Sequence, residues 1–409
     1  GGISLYGWAL AAPGLATVAA IPIAGRAADR YGPSRTLAVM LPVFAAGMVV
    51  SAIAPSMLAF VAGRLLQGAG AGTQYAVSAG AVAKSFPAAH RARVLALLSA
   101  AWLVPGLVGP LIGAVVTGTL GWRWAFVVLL PLVGVAAALV FPGLRAVPPS
   151  GEEAPRPPLR WPVLLAAGSA AVLGGLTEAA AVTVPVIVAG AGAMVVAMRR
   201  LIAPEAGIAR RLGRPLVAGF LLTFAFFAAD GFVPLMLIRV RGTTVLQASI
   251  VVTAATVAWS VGSWWQSRVA GRISGRALMA GGAAVMAVGV IGLAVGLGRA
   301  PIALPYVAWT IAGLGVGIAY PTLYVITMAR AEAGAEAMAV SLVLLLDSLG
   351  TSVGAGLGGA AIAVARSAGL NLTTGLVATF ALALAASLAL VAVSLRFAAA
   401  PAGTDRAPG

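Results

Sequence analysis

The chain has 409 residues, 61% of them hydrophobic and only 9% charged, with 26 Lys and Arg against 10 Asp and Glu for a net charge of +16. Soluble domains run at about 45–50% apolar and about 25% charged, so this composition excludes a water-soluble globule and describes an integral membrane protein. The absence of cysteine and the presence of a single histidine exclude disulfide frameworks, thiol nucleophiles and the usual zinc or haem centres.

In chain order, apolar runs rich in Ala, Val, Leu and Gly lie at 5–25, 37–55, 57–82, 92–117, 123–142, 161–177, 180–198, 215–238, 246–268, 277–298, 302–328, 338–365 and 370–395. Each is near the ~20 residues that a helix needs to cross the hydrocarbon core, so thirteen spanning helices are expected in an all-α membrane protein. A transmembrane barrel is disfavoured, because the runs are continuously apolar and far longer than its alternating strands.

The basic residues fall between these runs, which reads as topology and not as a nucleic-acid groove. Taking alternate loops as one side collects twenty Lys and Arg there against five on the other, with Arg64 inside a span. The richer side is the cytoplasmic one, which places the C-terminus in the cytoplasm of a multi-pass plasma (inner) membrane protein. An odd number of spans then leaves Gly1 outside. The expectation is that one span precedes residue 1, for fourteen in all; the alternative is a wrongly split hairpin within 161–198.

Two segments read as cytoplasmic connectors. Residues 144–160 combine five prolines with charges of both signs, as a semi-rigid polar linker does, and residues 199–214 form a shorter basic connector or interfacial helix. The domain reading is an N-terminal lobe over 1–143, the Pro-rich linker over 144–160 and an inserted transmembrane hairpin over 161–201. A basic linker over 202–213, a C-terminal lobe over 214–398 and a cytoplasmic tail over 399–409 follow. With one helix added in front, the order is six, two and six, a duplicated bundle with an inserted hairpin.

The loop after the first run carries Gly25, Asp29, Arg30, Gly32 and Arg35 in the spacing G-x-x-x-D-R-x-G-x-x-R. Glycines permit a tight turn there, and Asp29 between arginines can pair with a neighbouring helix end. Further along come Arg64, Gln67, Gly68, Gly70 and Gly72, then Gly106, Gly109, Pro110 and Gly113, then the run from Gly121 through Trp122, Arg123, Trp124 and Ala125 to Phe126. In this order the segments resemble the cytoplasmic loop, fourth-helix, fifth-helix and sixth-helix motifs of the major facilitator superfamily. The resemblance covers the N-terminal half closely, with Tyr6 and Trp8 near its start, and the rest by hydropathy and local pattern. One departure is Ala114, where the fifth-helix motif has a second glycine. The inserted hairpin and the segments GFVPLMLIRVRG and GSWWQSRVAGR are similar to the fourteen-span drug:proton antiporter branch. The second half should repeat the loop motif around Arg268–Arg276, but no acid stands there.

The resemblance implies two six-helix lobes with the inserted hairpin, a gating loop at Gly25–Arg35, an antiporter motif at Gly106–Gly113 and a buried arginine, Arg64, that assists proton transfer. Independently, charged groups inside spans cost about 2.5–3.5 kcal/mol on insertion scales and are functional candidates by default. They are Arg64, Asp230 within FAFFAADGFVPLML and Asp347 within LVLLLDSLGTSVG. The bland readings are a hydrogen-bond hub for Arg64 and an anchor for Ser348 and Thr351 at Asp347; the functional reading makes all three proton-coupling candidates. Gln67, Gln74 and Tyr75, on or near the Arg64 helix, are candidates to line a cavity or to serve as polar glue between helices. Glu178 and His90 read as solvated loop residues.

No phosphate-binding loop occurs, so nucleotide-driven transport by this chain is not expected. One histidine without cysteine makes an intramembrane enzyme a poor reading, and no loop exceeds about 17 residues, which leaves little for a sensor or scaffold. The expected function is a proton-coupled exporter of small hydrophobic or cationic compounds, of multidrug type, working by alternating access. The alternatives on the same fold are a lipid or metabolite exporter and an uptake symporter. The partners are then a small-molecule substrate, protons and the bilayer, with no cofactor, no metal, no nucleic acid and a monomeric chain.

Overall fold

A computed structural model describes residues 5–85, 103–149, 158–177, 183–202, 206–331 and 336–397. The first half begins with α1 (Tyr6–Tyr31), α2 (Pro33–Ile53) and α3 (Met57–Ser85), followed by α4 (Leu103–Thr119), α5 (Trp124–Val127) and α6 (Leu129–Arg145). Two helices, α7 (Arg160–Thr177) and α8 (Thr183–Ile202), form the inserted hairpin. The second half holds α9 (Ala206–Asp230), α10 (Val233–Arg239), α11 (Val245–Val269), α12 (Gly275–Gly296), α13 (Ala303–Arg330), α14 (Glu336–Ser367) and α15 (Leu372–Leu395). Because α5 runs into α6 and α9 into α10 after one or two residues, these helices trace thirteen rods, in the order the hydropathy predicts. Nine helices among the described residues are long and apolar enough to cross a membrane, the 28-residue stretch Leu212–Arg239 among them.

The helix ends follow local chemistry. Gly32, at φ +88°, takes the left-handed conformation that makes the turn between α1 and α2, and Pro33 opens α2 where its missing N–H costs nothing. Thr244 and Gln247 form a reciprocal capping box at the start of α11, and Asn371 accepts from the Thr374 N–H at the start of α15. Arg123 donates to the carbonyl of Ala54 at the end of α2, at 3.2 Å, which satisfies an acceptor that the helix itself leaves open.

One expectation changes in detail. The second part of the basic connector is already helical from Ala206 and continues as α9 through Pro215, so Arg214 stands on the spanning helix itself and not on a separate interfacial one. Residues 150–157 of the Pro-rich linker, the 399–409 tail, His90, Arg91, Arg93 and Glu178 lie outside the described residues.

Packing divides the rods into two lobes and the hairpin. In the first lobe α3 lies against both α1 and α2; in the second α13 lies against α11 and α12, while α9 lies against α14 and α15. The lobes meet along two seams, α1 with α14 and α4 with α11. At the first seam the backbones nearly touch: a Cβ on Gly7 would lie 2.6 Å from the Gly359 Cα, an approach that only glycine allows. The largest buried cluster lies mostly in the second lobe, with Trp309, Phe232 and Phe380 among its largest fully buried side chains, and extends to Val18 of α1 and to Leu165 and Ala197 of the hairpin.

Candidate functional site

The two in-span acids both sit in the second lobe, and one helix supplies a hydrogen-bond donor to each. On α13, the Trp309 Nε1–H donates to Asp230 Oδ1 at 3.1 Å, and the Tyr320 hydroxyl donates to Asp347 Oδ2 at 2.7 Å. Eleven residues separate the two donors, which places the acid stations about 16 Å apart along the helix axis.

Aromatic rings fill the distance between them. Phe226 of α9 stacks on Trp309, with centroids 4.8 Å apart and planes 16° from parallel, and meets Trp259 of α11 edge-on at 5.4 Å. Trp259 in turn meets Tyr320 edge-on at 5.5 Å, and Tyr320 contacts Tyr324 at 5.3 Å with the two hydroxyls 3.3 Å apart. Helical spacing explains the local arrangement: Tyr320 and Tyr324 are four residues apart on one face of α13, as are Phe226 and Asp230 on α9.

The other lobe reaches both stations. At the Asp230 end the Tyr6 hydroxyl of α1 donates to the Gly231 carbonyl at 3.0 Å, and its ring lies 5.6 Å from that of Phe232. At the Asp347 end Tyr75 of α3 comes into electrostatic range of the carboxylate. The Thr223 hydroxyl of α9 donates to the Asp347 backbone carbonyl at 3.0 Å, which ties α9 to α14 at that level.

The chemistry of the donors differs. An indole N–H only donates, so Trp309 holds one oxygen of Asp230 as an acceptor and leaves the other to carry a proton. A phenolic hydroxyl donates or accepts, so Tyr320 can serve both the charged and the neutral form of Asp347.

Arg64 belongs to a different network. Its Nε donates to the Ala9 carbonyl at 3.2 Å and its guanidinium to Gln67 Oε1 at 2.8 Å. Gln67 is buried and donates onward to the Gly47 carbonyl and the Ser51 hydroxyl at 3.1 and 2.8 Å. These bonds join α1, α2 and α3, while Gln74 and Tyr75 are exposed on α3.

Of the gating-loop residues, Gly25, Asp29 and Arg30 lie on α1, Gly32 makes the turn, and Arg35 lies in the first turn of α2. An acid in a last helical turn faces the negative end of the helix dipole, and Asp29, like Arg26, is engaged in an interaction there. Arg30 lies over the Tyr31 ring at 5.3 Å. In α4, Gly106 abuts Thr256 of α11 across the second seam, no atom among the described residues lies within 4 Å of a Cβ built on Gly109 or Gly113, and Pro110 lies within the helix. Among the described residues, no group of three or more His, Cys, Asp or Glu side chains is placed to hold a metal ion.

Trp309, Tyr320, Phe226 and Trp259 are not singled out by sequence reasoning, since aromatic residues are ordinary in apolar runs. The four-residue spacings of Tyr320 to Tyr324 and of Phe226 to Asp230 are the signals that point toward them.

Comparison with known proteins agrees with this architecture. A family model described as Major Facilitator Superfamily matches residues 1–355. A probable multidrug-efflux transporter of Mycobacterium tuberculosis is 32% identical over 355 residues, covering 80% of this chain and 73% of that protein. A multidrug resistance protein B homolog of the same organism is 36% identical over 143 residues, 34% of this chain and 26% of the relative, so this match spans about a quarter of that relative's length. Among solved structures, an auto-inhibited peptide transporter of the POT family aligns with a TM-score of 0.69 at 18% identity, covering 100% of this chain and 90% of that one. At that identity the likeness shows the fold.

Proposed function

The chain belongs to the Major Facilitator Superfamily, and from that premise we propose that it is a proton-coupled exporter of small hydrophobic or cationic compounds. It is a multi-pass membrane protein of a transporter family, which is not an enzyme class, and a small-molecule substrate follows from that membership. Export, proton coupling, a plasma-membrane location with the C-terminus in the cytoplasm, and a monomeric state are the parts proposed. So is the division into lobes at 1–143 and 214–398 around the inserted hairpin at 161–201, with a connector at 144–160 and a tail over 399–409, the second connector being confined to the residues ahead of α9 at Ala206.

The observation that carries the reading is the pair of acids at the two ends of one aromatic wall. Each carboxylate is held by a neutral donor, Trp309 or Tyr320; the opposite lobe bonds beside Asp230 through Tyr6 and comes within electrostatic range of Asp347 through Tyr75. Protonation removes the charge of Asp230 or Asp347 and so changes the relative stability of the two lobe arrangements. A substrate bound against the aromatic wall favours release of that proton. Coupling requires this difference in free energy between states, and the proton gradient then drives export. The similarity to a protein named as a probable multidrug-efflux transporter supports the choice of export.

Everted membrane vesicles with an imposed pH gradient test the reading. Asp230→Asn and Asp347→Asn are expected to lose gradient-driven substrate flux while the protein stays in the membrane at its normal level. Wild-type flux in both variants would overturn proton coupling through these residues.

A further inference from the structure

The inserted hairpin does not sit beside the two lobes as a neutral appendage. Of its two helices, α7 packs against α1 and also against α14, so it lies over the seam where the first lobe meets the second. Its partner α8 packs mainly on α7 and turns Val184, Val188 and Val195 outward, at 67, 64 and 52% exposure.

One side chain of α7 enters the seam. Leu173 is 1% exposed and shares a buried cluster with Ala11 and Leu15 of α1, with Trp8 and Leu357 packed around it. Opposite, Gly356 of α14 presents no side chain, and the Leu173 isobutyl group occupies the space that a Cβ there would take, with its Cγ 3.0 Å from that position. Next along α7, a Cβ built on Gly174 would lie 3.5 Å from the Trp8 ring, so this ring packs against the same face of the helix. The seam between α1 and α14 thus combines small residues, Ala11 and Gly356, with Trp8, Leu15 and Leu357, and is filled from outside by a leucine that belongs to neither lobe. The second seam, between α4 and α11, is built by direct contact, with Gly106 against Thr256.

We propose that Leu173 is the residue that closes the α1–α14 seam to the bilayer, so that the hairpin blocks entry of membrane-dissolved apolar molecules at this seam. This deepens the transporter reading and rests on it for its meaning, since a seam matters as a route only in a protein whose lobes part. In such a protein the seam widens whenever α1 and α14 separate. A flexible aliphatic side chain anchored on a separate hairpin can follow that movement and keep lipid tails and lipophilic solutes out.

The chain has no cysteine, so single cysteines report accessibility without background. Leu15→Cys, in α1 beneath Leu173, is labelled in native membranes with a maleimide carried on a pyrene group, which partitions into the bilayer. With Leu173 in place, labelling is expected to be slow. In the Leu173→Ala background it is expected to rise about tenfold or more, because the isobutyl group that fills the seam is replaced by a cavity. Leu173→Met, which conserves volume, is expected to restore protection. Val188→Cys on the outward face of α8 labels equally in all backgrounds if the hairpin remains folded. Equal labelling of Leu15→Cys with Leu173 intact and in the Leu173→Ala background, while Val188→Cys is unchanged, overturns the proposal, as does failure of Leu173→Met to protect. None of these readouts requires transport, so a failure here is distinct from a failure of the transport reading.

Discussion

The Tyr320 hydroxyl donates to Asp347 Oδ2 at 2.7 Å while lying 3.3 Å from the Tyr324 hydroxyl, so a single phenol links an in-span carboxylate to a second hydroxyl one helical turn away. A donor so placed can remain bonded whether the acid is charged or neutral, which a side chain that only donates or only accepts does less well. The residue therefore positions Asp347 and is not itself required to change protonation.

Tyr320→Phe removes that hydroxyl and keeps the ring against Trp259. A hydrogen bond to a charged group contributes about 1.5–3 kcal/mol, so the maximal flux is expected to fall about tenfold or more and the midpoint of its pH profile to move. Measuring flux against external pH in vesicles checks this. An unchanged profile with an unchanged rate would show that Asp347 works without its phenol.

Trp309 serves two functions that substitution can separate. Trp309→Phe keeps a ring to stack on Phe226 but deletes the N–H that holds Asp230, whereas Trp309→Leu deletes both. The expectation is that Phe lowers the maximal flux with little change in the substrate concentration for half-maximal flux. Leu is expected to raise that concentration as well, because the aromatic wall is interrupted. Concentration-dependent flux measurements distinguish the two variants.

Gln67 is expected to act chiefly on stability. Its amide accepts from Arg64 and donates to the Gly47 carbonyl and the Ser51 hydroxyl, so Gln67→Leu leaves the Arg64 guanidinium short of an acceptor in the packed interior of three helices. Loss of about 1–3 kcal/mol is expected, seen as a lower thermal unfolding midpoint of the detergent-solubilised protein. Gln67→Glu, which still accepts from Arg64, is expected to lose less.

Much of the fold was legible because hydrocarbon imposes a single rule, that every backbone polar group be satisfied within its own segment. Long apolar runs therefore map onto rods nearly one to one, and Arg64, Asp230 and Asp347 stand out because ionisable groups are costly among them. What escaped was the set of partners. Trp309 and Tyr320 are as apolar by composition as their neighbours, and only the packing of α13 against α9, α11 and α14 reveals that they face the acids. Arg64 likewise could not be assigned to a network from sequence, since its partner groups are the Ala9 backbone carbonyl and an amide on its own helix. The continuity of α9 from Ala206 was hidden by charge, because Arg210, Arg211 and Arg214 read as a connector or an interfacial helix apart from the span, although nothing in arginine opposes a helix.

The aromatic wall depends on a close approach of α11 and α13, and Gly317 is where that approach can be tested. A Cβ at this position would run into the carbonyl of Trp259, while the Gly317 carbonyl accepts the Ser263 hydroxyl at 3.0 Å. The obstacle is backbone and not the end of a flexible side chain, so the helices must separate to admit any larger residue. Gly317→Val would push Trp259 away from Tyr320 and open the wall between the two acids. Expected outcomes are a reduced yield of monodisperse protein on size exclusion and, in the fraction that folds, loss of gradient-driven flux. Gly281→Ala on α12, where among the described residues nothing lies within 4 Å of the added carbon, is the matched control. A glycine in a helix interior costs about 0.5–1 kcal/mol relative to alanine, so this control is expected to be as stable as wild type or slightly more so. Equal behaviour of Gly317→Val and Gly281→Ala would show that the α11–α13 contact tolerates separation, and that the wall is not what holds the two stations in register.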